Sequence, residues 1–369
     1  MIFFSNPYLQ YLERKKDIAK SLEIFFKKGN YILGSEVTNF EKSFANYCQT
    51  KYGVGVNSGT DAILLALKSL DIGIGDEVIT TSHTAIATVS AIISSGAKPV
   101  LVDINPESYN MDKLSLVEAI TNKTKAIVLV HIYGNPADII EISNIGKQNN
   151  IPIIEDCAQA TGAIFNNKRV GSFGLLSCFS FYPTKNLGAL GDGGMVVTSN
   201  SRLAKKVEQI RQYGWNKKRD IKYVGINSRL DEIHAAILKT KLKYLNADND
   251  KRISIANYYN KNLNSNRFKL PQKNILSKHV YHLYVIQVKN RKNIMNELLK
   301  KNIIAGIHYK KAAHHEKKYA EKCKISKSRL KNTDKIVKKI LSLPIYPQLK
   351  SFEIDYIMHE IIKNLDGSY

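Results

Sequence analysis

Cysteine, tryptophan and acid are all scarce in this 369-residue chain. Its four cysteines (Cys48, Cys157, Cys178, Cys323) are scattered and form no C-x-x-C pair. That argues against a structural zinc site and a disulfide framework, and suits a reducing compartment. No apolar run reaches the length of a bilayer span, because the longest break at charges or glycines. The opening M-I-F-F-S-N-P-Y is too short and too uncharged for a secretory signal, so the expected location is cytoplasmic, with no membrane partner. There is no internal repeat and no low-complexity tail. Acids are outnumbered 32 to 55 by Lys and Arg, giving a formal net charge of +23. The excess is mostly lysine spread along the chain, without a zinc-finger, RNA-recognition or basic-zipper pattern, so no nucleic-acid partner is expected. Length and a 44% hydrophobic fraction allow two domains with full cores.

What the chain does have is a rhythm. Apolar residues at helical spacing predict helices over 8–28, ending at Gly29, and over 36–47. From Asp76 near-continuous apolar strands (78–81, 99–103, 125–131, 151–155) alternate with helices (about 85–95, 112–120, 138–148). This pattern predicts a parallel sheet covered on both faces, with ligands at the carboxyl ends of its strands. His83, His131, Tyr133 and Asp156 fall at such ends. A helix follows over 202–213, and Ser228 is expected to cap a long helix reaching Leu263, interrupted near 246–250. There the rhythm stops, so the expected division is a large domain at 1–247 and a small α+β domain at 248–369. The latter is expected to hold strands at 280–288 and 303–307, and helices at 291–301, 329–341 and 351–364.

Two stretches carry chemistry. The run Y-G-V-G-V-N-S-G-T-D-A turns from strand to helix at Gly59 and Thr60 and could cradle a phosphate. Its Gly53, Gly55 and Gly59 also resemble a dinucleotide fingerprint, so a nicotinamide-dependent sugar oxidoreductase is an alternative. The second stretch, 153–195, sets Asp156 at the end of one strand and Lys185 just past another, with a hydroxyl at Ser180 and a glycine-rich turn after it. Alone, Asp156 reads as a strand-end cap and Lys185 as a surface lysine. Together with the S-G-T turn they suit pyridoxal phosphate. Its ring nitrogen needs a buried carboxylate to stay protonated, and its aldehyde needs a lysine amine. A phosphate- or nucleic-acid-binding protein without catalysis is the third possibility.

The sequence resembles the DegT/DnrJ/EryC1/StrS family of fold-type-I aminotransferases acting on nucleotide-linked keto-sugars. The matching runs include N-S-G-T-D-A (57–62), G-A-K-P-V-L-V-D-I (96–104), H-I-Y-G (131–134), E-D-C-A-Q-A-T-G-A (155–163), F-S-F-Y-P-T-K-N-L-G (179–188), G-D-G-G-M-V-V-T (191–198) and N-S-R-L-D-E-I-H-A-A-I-L (227–238). The resemblance implies an α/β fold: a large, mixed, mostly parallel sheet domain and a small C-terminal α+β domain. It implies that Lys185 holds the cofactor covalently, Asp156 its ring nitrogen and Gln159 its ring hydroxyl. Gly59, Thr60 and Ser180 would bind its phosphate, with Asn227 reaching in from a second subunit, hence a homodimer with a shared site. Tyr133, His282, His308 and Tyr309 would lie near the sugar. Many members stack an aromatic on the cofactor where this chain has Ala85, so His83, the nearest ring, is expected to stack instead. Related sugar dehydratases carry histidine at the lysine position, so Lys185 favours transamination. The expected reaction moves an amino group from L-glutamate to a nucleotide-diphosphate 6-deoxyhexose, with dTDP and C3 favoured over C4. No metal is expected: His314 and His315 have no carboxylate at ligand spacing and read as surface residues.

Overall fold

The computed structural model describes residues 1–263 and 268–366. Two helices open the chain, α1 (Pro7–Lys28) and α2 (Ser35–Tyr47). Asn6 caps α1 by accepting the Leu9 amide, proline occupies its first turn, and Gly29 closes it in the left-handed region, φ 63°. Helix α2 has no local cap. Instead Glu232, far along the chain, accepts the amides of Glu36 and Val37 at 2.9 and 2.8 Å, a carboxylate at a helix N-terminus.

The alternating part follows as β1 (Tyr52–Val56), α3 (Gly59–Ser69), β2 (Glu77–Thr81), α4 (Ile86–Ser94), β3 (Lys98–Val102), α5 (Lys113–Ala119), β4 (Thr124–Val130), α6 (Ile139–Gln148) and β5 (Ile153–Asp156). The short strands β6 (Ile164–Phe165) and β7 (Lys168–Arg169) come next. Then come β8 (Leu176–Ser180), β9 (Gly194–Thr198), α7 (Ser201–Ile210), α8 (Glu232–Leu242) and α9 (Leu245–Asn262). The C-terminal part adds β10 (Ser277–Lys278), β11 (Tyr284–Gln287), α10 (Arg291–Lys300), α11 (Lys317–Ala320), β12 (Lys324–Ile325), α12 (Lys331–Ile336), β13 (Ile340–Leu343) and α13 (Ser351–Asp366).

Among the described residues the large sheet has eight strands in the order β1-β9-β8-β5-β4-β2-β3-β12. Every pairing is parallel except those of β9 with its two neighbours, so only β9 runs against the rest. The period-two alternation of each strand feeds both faces. Val128 and Ile154 pack with α3, α4 and α7 through Leu65, Ile92 and Val207. Ile127, Leu129 and Ile153 pack with α5 and α6 through Leu116 and Ile142. Beside them α2 and α8 cover β8 and β9, where Phe44 meets Phe179 and Phe181 edge-on at 4.9 and 5.2 Å. A separate core gathers Ile255, Tyr259, Tyr284, Leu298, Leu341 and Ile357 around the antiparallel β11–β13 pair.

Four expectations of local secondary structure are corrected. Asp231, not Ser228, occupies the N-cap of α8, because the Ser228 hydroxyl is already engaged with Asp61 and the Asn57 amide. The helix interruption falls at Lys243–Tyr244, between α8 and α9, rather than near 246–250. The helix expected over 329–341 ends at Ile336, and Ile340–Leu343 extends to pair with β11. Residues 303–307 form isolated bridges through Ile303 and Gly306, not a strand. The expected domain boundary at 247/248 falls inside α9, and β12 lends a C-terminal strand to the large sheet.

Candidate active site

The position of the site follows from strand direction. Because β1, β2, β4, β5 and β8 run the same way, the connections that leave their carboxyl ends meet along one edge. Asp156 ends β5. The turn before α3 leaves β1, His83 follows β2, and Tyr133 follows β4. The antiparallel β9 turns the connection from β8 back along the same edge, and Lys185 lies on that connection, residues 181–193.

Asp156 is buried and fixed from two sides. Its Oδ2 accepts the Thr88 hydroxyl at 2.8 Å and its Oδ1 the Ala158 amide at 3.1 Å. Burial raises its pKa; the Thr88 bond, the Ala158 amide, Lys185 and His131 pull the other way. Burial lowers Lys185 to about 8, and only the attraction of Asp156 opposes it. Both groups therefore lean toward neutrality: burial disfavours each charge by more than their mutual attraction restores. At pH 7.5 a lysine at about 8 is roughly one-quarter uncharged amine, against about one in a thousand at its ordinary value. The cleft thus offers a nucleophilic amine and a buried carboxylate whose negative charge lacks a full counter-charge.

The other expected residues surround this pair. The carbonyl oxygen of Gln159 accepts the Tyr133 amide at 2.7 Å, and its nitrogen donates to the Tyr309 hydroxyl at 2.9 Å. Tyr133 pairs its hydroxyl with His83 Nε2 at 2.6 Å and with the His308 carbonyl. His308 Nδ1 meets Ser342 Oγ at 2.9 Å. Burial, reinforced by the nearby Lys185 charge, lowers the His308 pKa to about 4 and takes His282 well below its usual value. His83 is lowered to about 4 by burial alone, and its ring meets Tyr109, Tyr133 and Tyr309 edge-on. The Nδ1 atoms of His83 and His282 are buried with no partner among the described residues, so the cleft wall presents two unused polar atoms.

At the helix end, Ser58 caps α3 by accepting the Asp61 amide at 3.1 Å. A methyl group on Gly59 would lie 2.7 Å from Ser180 Cβ, so only glycine lets the turn approach β8 this closely. Thr60 lies in the first turn of α3. Asn227 is the one expected residue that this chain does not bring in. It is exposed, pairs by backbone with Gln212, and its side chain makes no hydrogen bond among the described residues.

Sequence reading missed Thr88, and it placed His131 at a strand end without its buried partner Glu155, Nε2 to Oε2 3.0 Å. Thr88 stood in an apolar helix with nothing to mark its partner 68 residues away. Gly53 and Gly55 prove to be packing glycines. Methyl groups there would strike the Glu41 carbonyl at 2.7 Å and Leu230 Cβ at 2.9 Å, and both glycines lie within β1, paired with β9, not on the turn a dinucleotide fingerprint requires.

The buried carboxylate, the amine opposite, the open helix N-terminus and the orphaned ring atoms fit pyridoxal phosphate. A fold-type-I α/β sheet with this cleft defines a pyridoxal-phosphate-dependent aminotransferase. Comparison makes the assignment specific. Residues 13–362 match the DegT/DnrJ/EryC1/StrS aminotransferase family, and the chain belongs to it. It is 44% identical over 347 residues to the dTDP-3-amino-3,6-dideoxy-alpha-D-galactopyranose transaminase of Aneurinibacillus thermoaerophilus, covering 94% of this chain and 95% of that one. It is 39% identical over 353 residues to the UDP-N-acetyl-3-dehydro-alpha-D-glucosamine 3-aminotransferase of Acidithiobacillus ferrooxidans, covering 96% and 95%. The crystal structure of Streptomyces venezuelae DesV superposes with a TM-score of 0.96 at 35% identity, covering 100% of this chain and 99% of that one.

Proposed function

We propose that the enzyme transfers an amino group from L-glutamate to the C3 keto group of a nucleotide-diphosphate 6-deoxyhexose, dTDP-linked, for amino-sugar biosynthesis in the cytoplasm. The observation that carries transamination is that Asp156, ending β5, and Lys185, on the connection that leaves the neighbouring β8, share one sheet edge and interact electrostatically. The choice of C3 is supported by the names of the two relatives above, both of which specify position 3. The basic surface favours a diphosphate substrate.

When bound, pyridoxal phosphate supplies an electron sink. Asp156 keeps the ring nitrogen protonated, held in place by Thr88. Lys185 would anchor the group, and its Nζ, once free, would take the proton from the donor's Cα. In the return direction Lys185 Nζ delivers a proton to the keto carbon of the sugar. Gln159 holds the ring hydroxyl. Gly59, Thr60 and Ser180 hold the phosphate through the α3 N-terminus. His83 would stack on the ring, and Tyr133, His282, His308 and Tyr309 would line the sugar pocket, neutral at the working pH.

The active unit in this reading is a homodimer, with Asn227 of each subunit completing the other's phosphate site. Its loop exposes Ile221 and Val224, apolar side chains that a second subunit would cover. Borohydride reduction followed by peptide mapping tests the anchor: modification at any residue but Lys185 sinks it. Turnover with dTDP-3-keto-6-deoxyhexose but not its 4-keto isomer is expected, and the reverse preference would overturn C3. Light scattering reads the dimer, and a monomeric, fully active enzyme would refute the shared site. Unchanged cofactor affinity in His83→Ala would remove the stacking role.

A further inference from the structure

Behind the cleft wall the fold assembles a group that the chain keeps apart. His314 and His315 sit in a single turn, Ala313–His315, with ring centroids 3.9 Å apart. From α12, Asp334 brings one carboxylate oxygen, Oδ1, to 2.9 Å from His314 Nε2 and 2.8 Å from His315 Nε2. The acid is 19 and 20 residues beyond the pair, far outside any ligand spacing along the sequence. This is why the two histidines read as ordinary surface residues.

We propose that His314, His315 and Asp334 form a binding site for one Zn2+ ion. Two imidazoles and a carboxylate suit zinc and its transition-metal neighbours, whereas Ca2+ and Mg2+ prefer all-oxygen sites. The donor atoms all lie within 4.8 Å of one another. A tetrahedral zinc with ligands at about 2.0–2.1 Å separates them by about 3.4 Å. The nitrogens therefore need to part from Oδ1 by only about half an ångström, from the observed 2.9 and 2.8 Å. Three protein ligands leave the fourth position to water, and Asp334 (48% exposed) and His315 (33% exposed) leave the ion a path in.

The tautomers also permit it. A zinc-binding Nε2 needs its ring proton on Nδ1, usually held by a second partner. Ser82 Oγ lies 2.7 Å from His314 Nδ1 and can accept that proton. His315 Nδ1 gives up only a 3.4 Å contact with the Ala312 amide. Without metal, both Nε2–H groups donate to Asp334, so the site is satisfied when empty and preformed for the ion. The Ser82 carbonyl also accepts the Ala313 amide at 3.0 Å, which fixes the turn to the end of β2.

The test uses the full-length holoenzyme, freed of chelator and excess cofactor, titrated with Co2+ and then Zn2+. Wild type should take up one equivalent of Co2+, show tetrahedral visible absorbance, and lose it to one equivalent of Zn2+. Asp334→Asn and His315→Ala should each weaken Zn2+ binding by at least about tenfold. His315→Gln keeps a donor toward Asp334 while deleting the ligand atom, and should weaken it equally. Cofactor absorbance in the same samples reports an intact fold. No stoichiometric uptake by wild type, or uptake that survives Asp334→Asn and His315→Gln, overturns the site.

Discussion

Replacing Thr88 with valine tests how the carboxylate of the cleft is held. The change keeps shape and removes one hydroxyl. Thr88 is buried, and its Oγ1 donates to Asp156 Oδ2 at 2.8 Å, leaving the Ala158 amide as the remaining hydrogen-bond donor to that carboxylate among the described residues. A hydrogen bond to a charged group contributes about 1.5–3 kcal/mol. Since 1.36 kcal/mol is one pKa unit, Asp156, already raised by burial, should rise by about one to two more units. Asp156 must be anionic to hold the ring nitrogen's proton. Cofactor affinity near pH 7 should therefore fall by about tenfold to a hundredfold, and the acid limb of kcat/KM should move up by the same one to two units. Apoenzyme titrated with pyridoxal phosphate between pH 6 and 8.5, followed by absorbance, measures the first; the pH–rate profile measures the second. Thr88→Ser keeps the donor and should restore both. Wild-type affinity and an unmoved acid limb in the valine variant would refute the reasoning, as would failure of serine to rescue.

Three further outcomes follow from packing and charge. Gly194→Ala places a methyl group 2.2 Å from the Ser58 carbonyl oxygen, so the α3 cap must move; cofactor affinity should drop at least about tenfold and stability by about 1–3 kcal/mol, read by titration and urea unfolding. Glu232→Ala removes both side-chain acceptors at the start of α2 and should cost about 2–4 kcal/mol in urea unfolding of the apoenzyme, while Glu232→Gln, which keeps one acceptor, should cost less. His83 and His279 have pKa values lowered by burial, to about 4 and about 3, against about 6.5 when unfolded. The unfolded chain thus binds more protons between those values, and stability falls as pH drops below about 6.5, by about 2 kcal/mol for each residue at pH 5. His83→Gln should lose about 2 kcal/mol less than wild type between pH 7.5 and 5; equal losses would contradict the assignment.

The strands that the sequence made legible are those covered on both faces. Val78–Ile79 and Ile127–Leu129 are apolar on consecutive residues because both directions point into a core. Strands decided by distant partners were not legible. Ile336, Val337, Ile340 and Leu341 are spaced like a helix, and pairing with β11 overrode that preference for the last two. Lys324–Ile325 is exposed and looks like loop, yet it pairs with Val100 and Leu101. The same division holds for the site. Asp156 stood out because it ends a recognisable strand, and Lys185 because it lies just past one in a Ser/Thr/Gly-rich loop. Thr88 and Asp334 act on partners that only the fold brings near. Ser228 and Asp231 are both good helix caps, and the choice was made by Asp61, which takes the serine hydroxyl.

The late pairing of β12 bears on how the protein can be made. Val100 sits at the rim of the sheet until Lys324 arrives, 224 residues later (324 − 100), so a ribosome exposes that rim for most of synthesis. Ile2 likewise waits for Ile303. Unpaired sheet rims invite association with other chains, and such long-range closure is slow. A fragment cut at α9 keeps the rim open permanently. The smallest piece of this enzyme that covers the β3 edge extends past Ile325, and any trimmed, split or fused version has to carry those two residues with it.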